Sequence, residues 1–386
     1  MITSEGNFQG IYNCGEGNYE VSFEKITKDE FVSYIALLAG AGFEKYAENE
    51  ISGNSFITYI KDTRNLFVSY FASLKELKIV IGAKKFLPET QKPVYTRIAD
   101  TTLTQIRLQG AIDSAAVKGA PGMSYIMRLA DGSFILIDGG PTNETDITAL
   151  FDFLTENNKT GGKITIAAWF ITHAHGDHMG LAINFINRYH ASLDIKMVAY
   201  NFPDFATVKI PNEDPSGMLK GVQQFKAVIK NYFPKADTFV FHTGQKLYLA
   251  DAEIEILFTH EDLYPRPMYW GNHTSSGFRI TANGKTFMVL GDMEVSLCSQ
   301  MAQTFGNYLK SDILQLTHHG FNGAAIELYQ LIDPDICLWP VDEYRFLNDP
   351  RCLGTQSGYA FNAWIRDDTV KVRKHYTSSY TTTINF

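Results

Sequence analysis

Four side chains with metal-binding chemistry fall within six residues of this sequence, namely His173, His175, Asp177 and His178. Imidazole and carboxylate groups are ligands of zinc and related divalent cations. His173 and His175 are two residues apart, so on an extended backbone their side chains point the same way. Asp177 and His178 follow a turn at Gly176 and can face a second point in space. The H-x-H-x-D-H spacing therefore predicts two ligands for each of two neighbouring metal ions.

Further candidate ligands stand at the ends of predicted strands. Asp292 ends the apolar run MVLGD, where a carboxylate can bridge two metal ions. His318 and His319 follow the strand DILQLT, and His273 precedes another strand in NHTSSGF. Asp138 ends the strand FILID and is expected to orient a ligand histidine through a hydrogen bond.

The elements predicted around these residues are mostly strands with interleaved helices. An apolar run at residues 163–172 forms a strand that leads directly into the histidine cluster, so the cluster lies just past the carboxyl end of a strand. The pattern indicates stacked sheets flanked by helices and not a simple parallel Rossmann sheet. The other predicted strands are residues 103–108, 124–129, 133–137, 253–258, 277–282, 286–290 and 312–317, with a glycine-rich loop at 119–122 and helices at 147–154 and 294–309.

The composition excludes several classes of protein. Of the 386 residues, 45% are hydrophobic and 20% are charged, as in soluble globular proteins. The net charge of -8 argues against long nucleic acid as a partner, since such partners need a basic face. No run of 18 apolar residues is present, so no membrane span is expected. The four cysteines are widely spaced and the first residues lack a signal-peptide pattern, so we expect a cytoplasmic protein.

Four sequence blocks in order carry a resemblance to a known family. HAHGDH, preceded by FILIDGG and followed by MVLGD and LTHHG, resembles the metallo-β-lactamase fold superfamily of metal-dependent hydrolases over roughly residues 100–340. The stretch from NHTSSGF to MVLGDME, followed by DILQLTHHG, is most similar to the branch that contains the DNA-uptake competence proteins and the phosphorylcholine esterases. The resemblance implies an α/β (α+β) class fold, an αββα sandwich with two metal ions at one edge between the sheets.

The resemblance also implies a ligand set. Aligning from the start of DILQLT favours His318 over His319 as a ligand, which leaves His319 to contact the substrate or donate a proton. His273 stands in Asn-His-Thr where Gly-His-Thr is commoner, so an ordinary loop histidine is the alternative for this residue. The implied ligands are His173, His175 and His273 for the first metal, Asp177, His178 and His318 for the second, and Asp292 as the bridge between them.

The chain divides into two predicted domains. Residues 1–83 are expected to form a small α+β domain of structural or interaction role, and residues 84–95 contain two prolines and are the predicted linker. Residues 96–386 then form the hydrolase domain. Within the first domain, a capping box from Thr27 to Glu30 begins a helix that runs to about residue 39. Strands are predicted at 56–60, 66–71 and 77–81.

The predicted function is that of a binuclear metal-dependent hydrolase. Zinc is the expected metal, and iron or manganese would also suit these ligands. We expect a metal-bound hydroxide to attack the substrate, with Asp292 positioning the metal pair and Asp177 orienting the nucleophile or accepting a proton. The segment from Tyr264 to Trp270 is either a wall of the substrate site or a packed loop.

The branch resemblance and the acidic charge favour a small phosphodiester or another phosphoester as the substrate. Hydrolysis of a lactone or a carboxylic ester is the alternative activity. A third possibility is a binding module that retains its metals but has no turnover.

Overall fold

The structure is a computed structural model that describes residues 7–109, 121–321 and 323–386. Its first sheet is antiparallel, with the strand order β1-β2-β6-β5-β4-β3. The helix α1 (Lys28–Gly40) packs on one face of this sheet through Phe31 and Leu38, and its N-terminus has the predicted Thr27–Glu30 capping box. The strands are β1 (Asn7–Gly15), β2 (Asn18–Glu24), β3 (Glu44–Ile51), β4 (Asn54–Lys61), β5 (Arg64–Phe71) and β6 (Glu76–Ala83).

The second sheet has the order β13-β12-β10-β9-β8-β7-β21, with β11 also paired to β10. Its central strands β9, β10, β12 and β13 are parallel neighbours, so their carboxyl ends lie at one edge of the sheet. The strands are β7 (Thr102–Gln105), β8 (Ser124–Arg128), β9 (Phe134–Asp138), β10 (Ile164–Phe170), β11 (Leu193–Ile195), β12 (Met197–Tyr200), β13 (Asp237–Val240) and β21 (Thr382–Asn385).

The third sheet has the order β14-β15-β16-β17-β18-β19-β20. Here β17, β18, β19 and β20 are parallel neighbours, so the residues that follow β17 and β18 also meet at one edge. The strands are β14 (Lys246–Leu249), β15 (Ala252–Phe258), β16 (Gly277–Ala282), β17 (Lys285–Val289), β18 (Ile313–Gln315), β19 (Ile336–Trp339) and β20 (Lys374–Thr377).

The second and third sheets pack face to face around an aromatic interior. Phe170 of β10 and Phe278 of β16 meet across the interface with their ring centroids 5.0 Å apart. Along β10 the side chains alternate, because Phe170 faces this interior while Trp169 faces the helices on the outer side. The outer helices of the second sheet are α2 (Glu144–Asn157), α3 (Gly176–Tyr189) and α4 (Ser216–Tyr232).

A second helical layer covers the outer face of the third sheet and completes the predicted αββα sandwich. Its helices are α5 (Val295–Phe305), α6 (Ile326–Ile332), α7 (Glu343–Asn348), α8 (Pro350–Leu353) and α9 (Ala360–Ile365). The first sheet packs against this layer, where Phe56 lies beside Phe305 of α5. Asn54 Nδ2 donates to the carbonyl of Thr304 over 2.9 Å at the same contact.

The predicted elements are largely present, but the structure contains further strands and helices in both parts of the chain. The strands expected at 56–60, 66–71 and 77–81 correspond to β4, β5 and β6, whereas β1, β2 and β3 were not predicted. β1 and β3 are the two edge strands, and β3 (EKYAENEI) is rich in charged residues, which hides the pattern of a half-buried strand. The glycine-rich loop expected at 119–122 lies partly outside the described residues. Within the described part of the chain, no helix is long and apolar enough to cross a lipid bilayer.

Candidate metal centre

The candidate residues meet where the two central sheets end at the same edge. The loop that follows β10 carries His173 and His175, and the first turn of α3 carries Asp177 and His178. The opposite sheet contributes Asp292 shortly after β17, together with the two histidines that follow β18. Parallel strands explain the convergence, because the carboxyl ends of neighbouring parallel strands lie side by side.

Four of these residues form a compact cluster: the ligand atoms of Asp177, His178, Asp292 and His319 all lie within 4.8 Å of one another. His178 Nε2 is 3.2 Å from Asp292 Oδ1, and His319 Nε2 is 3.4 Å from Asp292 Oδ2. His319 Nε2 is also 3.3 Å from Asp177 Oδ2. The two histidines and Asp292 are buried, while Asp177 is partly exposed.

Hydrogen bonds on the far side of each ring set the histidine tautomers of this cluster. His178 Nδ1 donates to Asp138 Oδ2 over 2.7 Å, and His319 Nδ1 donates to the carbonyl of Pro340 over 2.9 Å. A neutral imidazole that donates through Nδ1 carries its lone pair on Nε2. Both Nε2 atoms, and Asp292 Oδ1 between the sheets, are buried without a hydrogen-bond partner.

This arrangement fits a divalent cation. Two ligand atoms about 2.0–2.1 Å from one tetrahedral zinc ion stand about 3.3 Å apart, close to the separations in the cluster. Burial lowers the pKa of His319, but Asp292 and Asp177 outweigh burial and raise that pKa to about 9. Burial raises the pKa of Asp292, but His178, His319 and His318 hold it well below its usual value. The carboxylates therefore favour positive charge, which a proton on His319 supplies without metal and which a metal ion would supply in its place.

His173 and His175 form a second pair beside the cluster. His173 Nε2 faces His175 Nδ1 at 3.1 Å and lies 4.0 Å from Asp292 Oδ2. His173 Nδ1 lies 3.2 Å from the hydroxyl of Thr172, which itself donates to Asp138. Burial, followed by the neighbouring His178 and His175, lowers the pKa of His173 well below its usual value, which keeps this ring neutral. Asp292 thus stands between two sets of nitrogen atoms, as expected of a bridging carboxylate.

Asp138 occupies the position expected of an orienting residue. Its carboxylate accepts hydrogen bonds from the backbone N–H of Thr172 at 2.8 Å, from the Thr172 hydroxyl at 2.7 Å and from His178. The side chain is buried at the end of β9, and Trp169 Nε1 donates to its backbone carbonyl. Asp138 therefore links the start of the histidine loop to a histidine of the cluster.

Besides His173 and His175, the predicted ligands His273 and His318 also lie outside the four-residue cluster. His273 Nδ1 accepts from the backbone N–H of Tyr269 at 3.3 Å, so its proton is on Nε2, which lies 3.3 Å from Glu294 Oε2. His318 Nε2 lies 3.9 Å from Asp292 Oδ2 and 3.2 Å from Asn272 Nδ2. His319 takes the place in the cluster that the sequence had favoured for His318.

His319 enters the cluster instead of His318 because of the backbone conformation after β18. The prediction assumed an extended strand through the histidine doublet, but β18 ends at Gln315 and a 3-10 turn follows. Within this turn His318 and His319 have φ angles of 47° and 57°. Both residues are in the left-handed region, so the alternation of a strand does not apply to them.

The structure also places Glu213 in contact with His175, with Oε1 2.9 Å from His175 Nε2. Sequence reasoning missed this residue, because it lies in a polar loop 38 residues after the histidine. No local spacing signal connects the two positions. The contact exists only because the loop before α4 folds over the end of β10.

A cleft of about 540 Å³ opens beside the cluster. Its lining includes Trp270, Asn272, Glu294, His318 and Tyr359. In the segment from Tyr264 to Trp270, Met268 is buried in the core, whereas Trp270 is exposed and lines the cleft. His318 joins the cleft to the cluster, since its ring lines the cleft and its Nε2 lies 3.9 Å from Asp292 Oδ2.

The family model of the metallo-β-lactamase superfamily matches residues 117–334, and the chain therefore belongs to this superfamily. Its members bind divalent metal ions, in agreement with the cluster described above. The comparison with curated proteins found no match.

Among solved structures, the chain is similar to CmlA, a diiron beta-hydroxylase from Streptomyces venezuelae, with 13% identity and a TM-score of 0.44. That match covers 74% of this chain and 54% of CmlA, so the chain spans about half the length of that protein. Zn(2+)-bound PqqB from Methylobacterium extorquens is similar at 10% identity and a TM-score of 0.44, over 74% of this chain and 100% of PqqB. The hydrolase AbOPH of the beta lactamase superfamily has 13% identity and a TM-score of 0.30, over 64% of this chain and 75% of AbOPH. A shared fold does not choose the reaction, which depends on the site.

Proposed function

We propose that this chain is a binuclear metal-dependent hydrolase that acts on a small phosphodiester or another phosphoester. The observation that carries the proposal is the cluster of buried ligand atoms without hydrogen-bond partners on His178, His319 and Asp292, with the facing nitrogen atoms of His173 and His175 beside it. Buried polar atoms without hydrogen-bond partners are costly, and a cation in the cluster would remove that cost.

The proposed ligands follow the geometry of the site. Asp177, His178 and His319 would hold one metal, His173 and His175 would hold the other, and Asp292 would bridge them. Zinc is the first candidate, while iron and manganese also suit imidazole and carboxylate ligands. His318 replaces His319 as the residue proposed to contact the substrate, because its ring lines the cleft.

Two neighbouring divalent cations would lower the pKa of water and stabilise the attacking and leaving oxygens of a displacement. The residues of the chain would supply orientation and proton transfer. Asp177 is the partly exposed carboxylate of the cluster, which supports a role in orienting the nucleophile or accepting its proton. Asp138 and the carbonyl of Pro340 would keep His178 and His319 in the tautomers that metal binding requires.

A phosphoester substrate is supported by the sequence resemblance to the competence-protein and phosphorylcholine-esterase branch. Asn272 and His318 line the cleft and offer hydrogen-bond donors to phosphoryl oxygens. The size of the cleft and the acidic charge of the chain favour a small molecule over long nucleic acid.

We also propose the division of the chain into a structural domain of residues 1–83, a linker of residues 84–95 and the hydrolase domain of residues 96–386. The packing of the first sheet against α5 supports a buttressing role for the N-terminal part. Its described residues contribute no side chain to the metal cluster.

The test is hydrolysis of bis-p-nitrophenyl phosphate by the protein loaded with zinc or manganese. We expect turnover that a chelator abolishes and that His175→Ala removes. His190→Ala is the matched control, because this histidine lies away from the site and stacks on Tyr232. Turnover of lactones or p-nitrophenyl acetate alone would replace the phosphoester assignment. Two bound metals with no turnover on any of these substrates would contradict the proposed enzymatic activity and favour a metal-retaining binding module.

A further inference from the structure

Glu213 connects a candidate metal ligand to the wall of the substrate cleft. Its Oε1 lies 2.9 Å from His175 Nε2, and its Oε2 accepts a hydrogen bond from the backbone N–H of Gly271 at 2.7 Å. We call residues 269–272 the strap. The loop that carries Glu213 is tied to the strap a second time, because Asn212 N donates to the carbonyl of Tyr269 over 3.1 Å.

The hydrogen bond to Glu213 determines which nitrogen of His175 is available. A carboxylate only accepts, so His175 donates through Nε2–H and its lone pair is on Nδ1. That Nδ1 faces His173 Nε2 at 3.1 Å, as the pair of nitrogen atoms that would hold one metal. Glu213 therefore accepts a hydrogen bond from His175 in the same way that Asp138 accepts one from His178.

The strap lies directly on the imidazole of His175. A Cβ atom on Gly271 would be 2.3 Å from His175 Nε2 and 3.0 Å from Glu213 Oε2. Glycine is therefore required where the strap passes the ring. On either side of it, Trp270 and Asn272 line the cleft. The position of the strap and the position of the ring are thus set by the same carboxylate.

We propose that Glu213 is a positioning residue that fixes His175 as an Nδ1 ligand and couples metal binding at His173 and His175 to the shape of the cleft. This inference rests on the proposed metal-dependent function. Two donors, His175 Nε2–H and Gly271 N–H, require two acceptor atoms. A glutamate carboxylate offers two, whereas a glutamine amide offers one. Glu213→Gln is thus the conservative variant that must lose one of the two bonds, and Glu213→Ala loses both.

The experiment measures zinc retained by the full chain in a graded series of chelator concentrations. Wild type is expected to release two zinc ions in two steps. For Glu213→Ala we expect the affinity of one step to fall by about 10–100-fold, the usual cost of removing a residue that orients a ligand histidine. The other step should stay unchanged, and Glu213→Gln should lose affinity at the same step, because an amide turned toward His175 donates to Nε2 and leaves the proton of the ring on Nδ1. Asp214→Ala is the matched control, since among the described residues that neighbouring carboxylate bonds only to Ser216 of its own turn.

A second readout needs no metal and so separates the two proposals. Nitrogen-15 spectra of the metal-free protein, labelled at histidine, should show His175 in the Nε2–H form in wild type and a tautomer mixture in Glu213→Ala. The inference is overturned if the variant keeps both zinc affinities and the tautomer. Equal loss at both steps also overturns it, because it indicates general loosening. If wild type binds no zinc, the proposed function fails while the tautomer result still decides the role of Glu213.

Discussion

Replacing Asp138 with asparagine tests the logic of the candidate metal centre most directly. The carboxylate accepts from three donors, two on Thr172 and one on His178. An asparagine has one acceptor oxygen and a donor amide. If the oxygen keeps the bond to the backbone N–H of Thr172, the amide faces His178 Nδ1 and donates to it. His178 must then carry its proton on Nε2, which lies 3.2 Å from Asp292 Oδ1.

This change of tautomer removes the lone pair that would bind a metal. We expect the affinity for the metal at this half of the site to fall by about 10–100-fold, or about 1.4–2.7 kcal/mol. The metal-free protein is affected less, because the new Nε2–H can donate to Asp292 and offsets part of the loss. A net loss of about 1 kcal/mol in the free energy of unfolding would lower Tm by at most about 2–4 °C in a chain of this size.

The assay is zinc competition against a chelating dye, with thermal unfolding of the metal-free protein beside it. Asp312→Asn is the matched control. That carboxylate accepts from the backbone N–H and the hydroxyl of Thr286, both at 2.7 Å, and bonds to no histidine within the described part of the chain. Wild-type zinc affinity in Asp138→Asn, with Asp312→Asn also unchanged, would refute the tautomer reasoning.

Two further predictions concern the histidine doublet and a buried carboxylate. His319→Ala should lose one zinc per chain in a metal analysis, whereas His318→Ala should keep both and lose turnover; the reverse result would restore the strand-based assignment. Burial raises the pKa of Glu20 from its usual 4.5 to about 8, although the Lys78 amine 3.3 Å away lowers it. Since the folded chain holds this proton more tightly than the unfolded chain, the contribution of Glu20 to stability is lost as pH rises from about 4.5 through 8. Glu20→Gln should flatten the fall in Tm over that interval, and an unchanged slope would contradict the assignment.

Some positions follow from neighbours in the sequence alone. The H-x-H-x-D-H segment and Asp138 come directly after apolar strands, and parallel neighbouring strands end at one edge of a sheet. Because β9 and β10 are parallel neighbours, Asp138 and the H-x-H-x-D-H segment lie at the same edge of the sheet. The capping box at Thr27 is similar, since its hydrogen bonds join residues three apart.

The tertiary structure decided the contacts between distant segments. Which histidine of the doublet enters the cluster depends on a left-handed turn after β18, and the orientation of His273 depends on Glu294 from another loop. Glu213 reaches His175 across 38 residues of sequence. Residue types and strand ends thus determined which candidate ligands lie near one edge of the sheets. Only the packing of loops from the two sheets determined which lone pairs point inward, because a ring nitrogen becomes a donor or an acceptor according to the partner placed against it.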